Sequence, residues 1–322
     1  MSPQSSQVVG PRAQASRAVI ATRLGLVWVI WGSTYLAIAI MLESIPPMFG
    51  MGTRFVLAAV LLAGFIVVFR DRRALTVPWQ EIASAAGLGI LMLSSGIGIV
   101  ALAERYIPTG VAALLAASVP MWGTLIRAIA GDRPHRLTWI GIAIGLVGII
   151  ILVRPSSDGM SRDRVVWSLI LLGGQILFVL GSFFTPRVPT PRDPLVLVTY
   201  EMFFGGLAFF IWSRMFSEHF DLSAVTSRSA IALLYLSFAA IVGYGSYTWL
   251  LTHVPLSLAL TYAYVNPLVA VTLGWLVLGE AVTWALAIGG AITLIGVILV
   301  IQGERNRTVT LADADLQAVD SR

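Results

Sequence analysis

Residues 24–42 of the sequence read LGLVWVIWGSTYLAIAIML, a run of 19 residues without a charged side chain. A helix that crosses a bilayer needs roughly 20 apolar residues, so this run is long enough to span. Arg12, Arg17 and Arg23 precede it. A secretory signal peptide has a shorter apolar region, of roughly 7–15 residues, before a small-residue cleavage site. The stretch therefore predicts a retained first transmembrane helix.

Similar apolar runs follow along the rest of the chain, separated by loops too short to hold a soluble domain. They predict an all-α integral membrane protein of ten transmembrane helices, with polar tails at 1–19 and 303–322. The ten predicted spans are 24–42, 47–69, 82–103, 108–130, 138–153, 166–185, 194–213, 229–252, 256–278 and 282–301.

The composition agrees with burial in lipid. Hydrophobic residues make up 57% of the 322 residues and charged residues only 11%, whereas a soluble protein carries roughly a quarter charged residues. The net charge of +5 does not indicate a nucleic-acid partner, because the arginines lie in short loops between apolar runs. The sequence contains no cysteine, which excludes disulfides, thiolate metal sites and cysteine nucleophiles. We expect no metal and no cofactor.

The distribution of arginine predicts the orientation in the membrane, because positive residues concentrate in cytoplasmic loops. With the N-terminus inside, 13 arginines fall on the cytoplasmic side and 6 on the outer side. Both termini are therefore predicted to be cytoplasmic. The inner set is Arg12, Arg17, Arg23, Arg70, Arg72, Arg73, Arg133, Arg136, Arg187, Arg192, Arg305, Arg307 and Arg322, and the outer set is Arg105, Arg154, Arg162, Arg164, Arg214 and Arg228.

The two halves of the chain match at an offset near 147 residues. Pro108 corresponds to Pro255 and Pro120 to Pro267, so the same separation of 12 residues occurs twice. Chance similarity among glycine-rich apolar helices is the alternative, and the repeated proline spacing argues against it. Each half holds five predicted spans, an odd number, so the second half enters the membrane from the opposite side. The sequence therefore predicts an inverted repeat, an arrangement that encloses a site near the bilayer midplane.

Short motifs occur in a fixed order along residues 20–302. They are Trp31-Gly32-Ser33-Thr34-Tyr35, Pro46-Pro47, Thr53-Arg54-Phe55, Pro108, Ser118-Val119-Pro120, Asn266-Pro267 and Leu278-Gly279-Glu280. Together they resemble the EamA family of the drug/metabolite transporter superfamily. Gly131-Asp132 departs from the Gly-Glu that this family commonly shows, but it keeps the carboxylate.

The resemblance implies two five-helix repeats, 20–154 and 165–302, in the bacterial inner membrane. It implies alternating-access transport, as export or uptake, of amino acids or other small metabolites, with export the favoured direction. The first four helices of each half would line the cavity, and the fifth and tenth would lie outside it, often at a dimer contact. A monomer and a homodimer both stay open, because Gly141, Gly145 and Gly148 could serve either internal packing or dimerisation.

Pro120 and Pro267 are predicted to lie inside helices near the membrane centre. Proline removes a backbone donor and clashes with the preceding turn, so the carbonyl groups of Ala116 and Ala263 should lose their helical partners. Free carbonyls at that depth must face protein or a wet cavity. The two prolines are therefore interpreted as hinges or site walls, with a static kink as the alternative.

Arg54 and Glu201 are the deepest predicted charges, and charged residues inside a membrane usually face the bundle interior. Each lies seven residues into its span, roughly 10 Å from opposite faces, which leaves them about 10 Å apart in depth across a core of about 30 Å. They are therefore interpreted as repeat-related positions and not as a salt bridge. Arg54 could attract a substrate carboxylate or tie helix ends together through carbonyls. Glu201 could couple protons to transport or serve as an interior hydrogen-bond partner.

Aromatic and small polar residues supply a predicted substrate cavity. Trp31 and Tyr35 share one helix face, as do Tyr262 and Asn266. An apolar, aromatic cavity with a few hydrogen-bonding groups suits a small amphiphile. The alternative for each aromatic residue is packing or interfacial anchoring. The predicted cavity residues are Trp31, Ser33, Tyr35, Ser94, Ser95, Trp122, Gln175, Ser182, Tyr244, Tyr247, Tyr262 and Asn266.

A membrane-embedded enzyme and a flippase are the alternatives from other functional classes. A membrane-embedded enzyme would need metal ligands or an activated nucleophile with a base, but the only histidines are His135, His219 and His253, all in or beside loops. A flippase for a lipid or lipid-linked metabolite remains open, because the same architecture could hold a headgroup. The expected partners are a small-molecule substrate, the lipid bilayer and, as a candidate coupling ion, the proton.

Overall fold

The fold is described from a computed structural model, which covers residues 16–70, 72–153, 162–254 and 256–320. Throughout these residues the regular structure is helical, with no strand. A π-helical segment, Ile90–Ile97, joins α3 to α4, and three short 3-10 turns lie in loops. The α-helices are α1 Arg17–Met41, α2 Pro47–Phe69, α3 Trp79–Gly89, α4 Gly98–Ala103, α5 Thr109–Ala116, α6 Val119–Ile129, α7 Arg136–Val153, α8 Arg162–Phe184, α9 Pro194–Met215, α10 Ser227–His253, α11 Leu256–Ala259, α12 Tyr262–Leu278 and α13 Trp284–Asp320.

These helices confirm the predicted all-α membrane architecture. Among the described residues, nine helical segments are long and apolar enough to cross a bilayer. The third comprises α3, the π-helical segment and α4, and the fourth comprises α5 and α6. The predicted ninth span, 256–278, is divided into α11 and the 17-residue α12, which is apolar but short. α13 continues past the predicted end of the tenth span to Asp320, so most of the predicted C-terminal tail is helical.

Prolines and N-cap residues mark the starts of several of these helices. Pro47 and Pro194 occupy first helical positions, where a missing N–H costs nothing. Asp193 and Thr226 are N-cap residues whose side chains accept a hydrogen bond from a backbone N–H in the first turn. The apolar exterior reflects the lipid solvent, since large side chains such as Ile150, Ile231 and Leu276 are exposed.

Contacts at helix ends show that the two halves insert in opposite directions. On one side of the molecule, Arg70 after α2 forms an ion pair with Asp193 before α9. On the other side, Glu218 after α9 accepts hydrogen bonds from the N–H groups of Met48 and Phe49 at the start of α2, both at 3.0 Å. The repeat-related helices α2 and α9 are therefore antiparallel. We call these two faces of the protein the Arg70 side and the Glu218 side.

Helices of the two halves pack against each other, in several cases helix against counterpart. α2 packs against its counterpart α9, and α7 against its counterpart α13. α1 packs against α10 and α12, while its counterpart α8 packs against the third and fourth spans of the first half. The helices of one half therefore contact mainly those of the other, which places the buried core and any central site between the halves.

The predicted small-residue face of the fifth span is used inside the chain. A Cβ on Gly148 would lie 2.4 Å from the N atom of Thr293, and one on Gly141 would lie 2.8 Å from the carbonyl oxygen of Gly296, whereas one on Gly145 would lie 2.6 Å from the sulfur of Met121 in α6. Only glycine lets α7 and α13 approach this closely. These glycines therefore account for internal packing of the two helices.

Candidate functional site

A cavity of about 390 Å³ lies between the two halves. It is lined by the first four spans of the first half and, in the second half, by residues of α8, α9, α10 and α12. This size is within the usual range for small-molecule sites, roughly 300–1,000 Å³. Of the residues predicted from sequence, it brings together Trp31, Tyr35, Arg54, Pro120, Gln175, Ser182, Glu201, Tyr244, Tyr247, Tyr262, Asn266 and Pro267.

Four aromatic rings form one wall of the cavity, which we call the aromatic cluster: Trp31, Tyr244, Tyr247 and Tyr262. The Trp31 ring centroid lies 5.6 Å from that of Tyr244, 5.1 Å from Tyr247 and 4.8 Å from Tyr262. Trp31 fits because a Cβ on Gly243 would lie 2.2 Å from its Nε1. The edge-to-face geometries are favourable for aromatic pairs. One residue of α1 thus meets two residues of α10 and one of α12.

Both proline-containing spans are interrupted where they pass the cavity. α5 ends at Ala116 and α6 begins at Val119, one residue before Pro120. α11 ends at Ala259 and α12 begins at Tyr262, whereas Pro267 lies inside α12. Since proline has no N–H to donate, Ala116 and Ala263 lose the helical donors that Pro120 and Pro267 would have supplied. Ala116 and Ala263 both line the cavity. This placement is expected, because a carbonyl group without a helical donor must face protein or water and not lipid.

Asn266 connects α12 to α1 beside this wall. In the amide orientation that satisfies its neighbours, the side-chain nitrogen of Asn266 donates to two carbonyl oxygens, that of Trp28 at 3.1 Å and that of Tyr262 at 3.2 Å. The indole N–H of Trp28 donates to Thr261 Oγ1 at 2.9 Å. Two hydrogen bonds from neighbouring turns therefore hold α1 against the interruption between α11 and α12.

Four predicted cavity residues lie elsewhere. Ser33 faces α10, where its hydroxyl hydrogen-bonds to that of Tyr235. Ser94 is buried between the third span and α9, and its hydroxyl donates to the carbonyl of Gly205. Ser95 is directed back to its own helix and donates to Ile90 O. Trp122 donates to Ser118 Oγ, one turn back in the fourth span. These hydroxyl and indole groups find backbone or local partners, so we leave all four out of the proposed site.

Arg54 and Glu201 are the charged side chains recorded along the cavity wall. They are 6% and 8% exposed, and neither forms an ion pair with another described residue. α2 crosses α9 where a Cβ on Gly52 would lie 3.1 Å from the carbonyl oxygen of Gly206. Counting along both helices from this crossing places Glu201 only about 4.5 Å closer to the Arg70 side than Arg54. The depth separation of about 10 Å expected from sequence is thus too large, because it assumed that both helices begin level with the membrane faces.

Glu104 is a charged residue near the cavity that the sequence analysis missed. It follows α4 directly, and both of its carboxylate oxygens are buried without a hydrogen-bond partner among the described residues. The charges that act on it are those of Glu280 and Arg54. It was overlooked because it follows the predicted third span and was assigned to a loop. The turn at Pro108, which folds this loop back onto the bundle, was the available signal.

The described residues contain no cluster of histidine and acidic side chains suited to a metal ion. What they do contain is a central cavity, buried charges and interrupted helices between two antiparallel halves of a membrane bundle. Interrupted helices around a site at the interface of two inverted repeats are typical of membrane transporters.

The chain belongs to the EamA-like transporter family, which matches residues 24–154 and 165–302, one match in each half. It is 36% identical over 283 residues to the inner membrane transporter YedA of Escherichia coli (strain K12), covering 86% of this chain and 89% of that protein. It is 23% identical over 291 residues to a probable amino-acid metabolite efflux pump of the same organism, covering 88% of this chain and 94% of the pump. These relatives indicate a transporter and not an enzyme.

A protein of known crystal structure shares the fold. The two chains superpose with a TM-score of 0.62 at 18% sequence identity, over 90% of this chain and 99% of the other. At this identity the likeness supports the fold alone, and the similarity to transporters rests on the family and its members.

Proposed function

We propose that this protein exports amino acids or chemically similar small metabolites across the bacterial inner membrane by alternating access. Both termini lie in the cytoplasm, and the repeats 20–154 and 165–302 enclose the central cavity, which opens to each side of the membrane in turn as the proline-containing spans bend. The observation that carries the proposal is the cavity itself, which both halves line and where both proline-containing spans are interrupted. The name of the efflux pump, a full-length relative, supports the choice of substrate.

The proline-containing spans are the moving parts in this proposal. Interrupted helices lack part of the hydrogen-bond ladder that keeps a helix rigid, so they bend at lower cost than their neighbours. Pro120 and Pro267 stand on the cavity wall, so a change in either kink alters the cavity directly. The closely packed α7 and α13 stay together and serve as the support.

Reconstituted vesicles test the proposal directly. The purified protein is placed in proteoliposomes loaded with a mixture of labelled amino acids, and efflux is compared with that from protein-free vesicles. A parallel assay follows labelled lipid between leaflets. We expect saturable efflux of at least one amino acid and no acceleration of lipid movement. Lipid movement without metabolite efflux would replace this proposal with a flippase.

Proton coupling through Glu201 is a separate part of the proposal. Glu201 lines the cavity without an ion pair among the described residues, so its carboxyl group is free to exchange a proton with the cavity. We expect Glu201→Gln to remove the dependence of efflux on an imposed pH gradient. The matched control is Glu43→Gln, which affects an exposed carboxylate paired with Arg228. Unchanged gradient dependence in Glu201→Gln would assign coupling to another group or to none.

A further inference from the structure

The guanidinium of Arg54 is a buried cation whose donors are largely unused. Arg54 is 6% exposed and lines the cavity. Its Nε has no hydrogen-bond partner among the described residues, and Nη1 lies 3.9 Å from the sulfur of Met51, a weak acceptor. A guanidinium carries five N–H donors, and leaving such a group unmatched in a buried place is costly. A ligand with acceptor oxygens would supply the missing partners.

The described residues do not support the alternative role of Arg54, in which it would tie helix ends together. If the side chain tied helix ends together, its N–H groups would donate to backbone carbonyls. The hydrogen bond recorded for it goes instead to Met51, one turn back in the same helix, and the guanidinium lies 4.8 Å from the neighbouring Phe55 ring. Arg54 therefore does not join α2 to another helix in the described part of the chain.

No carboxyl group occupies the donors of Arg54 in the described part of the chain. Both carboxyl oxygens of Glu104 are buried without a hydrogen-bond partner among the described residues, and no ion pair within 4.0 Å joins Glu104 to Arg54. Glu280 instead accepts hydrogen bonds from the backbone N–H of Thr109 at 2.8 Å and from the Thr109 hydroxyl at 2.9 Å. The guanidinium therefore keeps its N–H groups available for a bidentate acceptor.

The aromatic cluster lines the same cavity as this guanidinium. Arg54 and Tyr244 both belong to its wall. Tyr244 also contacts Trp31, which leads to Tyr247 and Tyr262. The cavity therefore has a cationic, donor-rich end beside an apolar aromatic wall, a pattern complementary to a molecule with an anionic head and an apolar body.

We propose that the substrate carries a carboxylate that binds Arg54 and an apolar body that packs against the aromatic cluster. This inference rests on the proposed transport function and specifies its substrate. A guanidinium binds a carboxylate through two parallel N–H···O bonds, which a neutral amide cannot reproduce. An organic cation is repelled at this end. Glu201 lines the same cavity and can pair with an ammonium group, so organic anions and zwitterions share the required chemistry.

Competition binding on the intact protein tests the headgroup requirement. The probe is tritiated 3-phenylpropionate, and the competitors are 3-phenylpropanamide, 2-phenylethylamine and L-phenylalanine. Unlabelled 3-phenylpropionate and L-phenylalanine should displace the probe, whereas the amide and the amine should bind at least about tenfold more weakly, since neither forms the charge-assisted pair of hydrogen bonds with the guanidinium. Displacement by 3-phenylpropionate alone identifies the substrate as an organic anion. Displacement by both 3-phenylpropionate and L-phenylalanine identifies the carboxylate as the feature that the site requires.

Variants then assign the preference to Arg54. Arg54→Gln should lose the preference for acid over amide, and Arg54→Lys should keep a weaker one because it retains the charge. Arg105→Gln, an exposed arginine, is the matched control and should bind like the native protein.

The outcomes separate this inference from the proposed function. Equal competition by acid and amide in the native protein, or no binding of 3-phenylpropionate, overturns the inference even if Arg54→Gln cannot be purified. So does a folded Arg54→Gln protein that still prefers the acid. Efflux of amino acids that shows no headgroup preference leaves the transport proposal standing alone, whereas the absence of any saturable efflux contradicts the transport proposal.

Discussion

The fourth span of the first half and its counterpart in the second half differ in how they are interrupted. In the first, Ser118 Oγ donates to Leu115 O at 2.5 Å and accepts from the indole of Trp122, four residues on in the same span. In the second, Thr261 Oγ1 donates to Leu258 O at 2.7 Å and accepts from an indole that belongs to α1. The hydrogen-bond pattern is the same, but one interruption is held within its span and the other by a different helix.

This difference assigns unlike roles to the two interruptions. The first-half interruption has its own tryptophan, so it can change shape without separating helices. The second-half interruption is bound to α1 through Trp28, and Asn266 adds a further bond to the same helix. Asn266 also lines the cavity together with Tyr262, whereas the first-half positions that match these two residues are Val119 and Leu115. We infer that α1 and α12 move as a unit, and that the second-half span contributes more polar contacts to substrate than its first-half counterpart.

A substitution that disturbs the close contact between α1 and α12 is expected to have the largest effect, a loss of stability. A Cβ on Gly32 would lie 2.6 Å from the Cβ of Val269 and 3.0 Å from the carbonyl oxygen of Asn266. In α6, a Cβ on Gly123 would meet only a methyl group of Val179, at an ordinary 3.7 Å. We expect Gly32→Ala to lower the free energy of unfolding by about 1–3 kcal/mol, the usual cost of overpacking, and Gly123→Ala to leave it unchanged or raise it. Thermal unfolding of both variants in the same detergent measures the difference.

Native stability in both glycine variants would contradict the idea that α1 and α12 form one unit. An equal loss in both would mean that α6 packs against α8 more tightly than the Gly123 contact shows. The two substitutions are chemically identical, so a difference in helix propensity between residue types does not enter the comparison.

The polar contacts of the two spans predict the next effect. Asn266→Ala removes a cavity-lining amide and the bond to Trp28 O, whereas Ser118→Ala removes a hydroxyl buried away from the cavity wall. Unpaired buried groups cost about 1–3 kcal/mol, so we expect Asn266→Ala to reduce the initial rate of efflux about tenfold. Ser118→Ala should reduce it by less. Efflux from proteoliposomes with matched protein content is the measurement, and equal or reversed losses would show that the polar grip is not concentrated in the second half.

Much of this comparison was accessible from sequence. Long uncharged runs fix a membrane fold because each backbone polar group in lipid needs an internal partner. Pro120 predicted the first interruption within a few residues of where α6 begins. Trp31 with Tyr35 and Tyr262 with Asn266 predicted two parts of the cavity wall, since residues four apart share a helix face.

Other features depended on packing that a sequence pattern does not contain. Pro267 indicated a kink near Ala263, but the helix is interrupted at Leu260 and Thr261, where a tryptophan from a distant part of the chain supplies a donor. Ser95 could serve its own backbone as readily as a ligand, and only the rotation of the third span decides between them. For Glu104, burial depends on how the loop before Pro108 folds back, which the hydropathy of the neighbouring residues does not reveal.

The two tryptophans predict the smallest effect and the most direct test of the comparison. Trp28→Phe removes the donor to Thr261 while keeping a ring of similar shape, and Trp122→Phe does the same for Ser118. A net hydrogen bond contributes about 0.5–1.5 kcal/mol, so both variants should lose a similar, modest amount of stability. Because only Trp28 joins separate helices, Trp28→Phe should also change the rate of efflux severalfold, whereas Trp122→Phe should not.

Cysteine pairs are an independent test of whether α1 and α12 move together, since the native chain has no cysteine. If these helices do move together, a disulfide introduced between them should leave efflux intact. Loss of efflux on forming that disulfide would show that α1 and α12 separate during transport, and the Trp28 contact would then be a gate instead of a fixed joint.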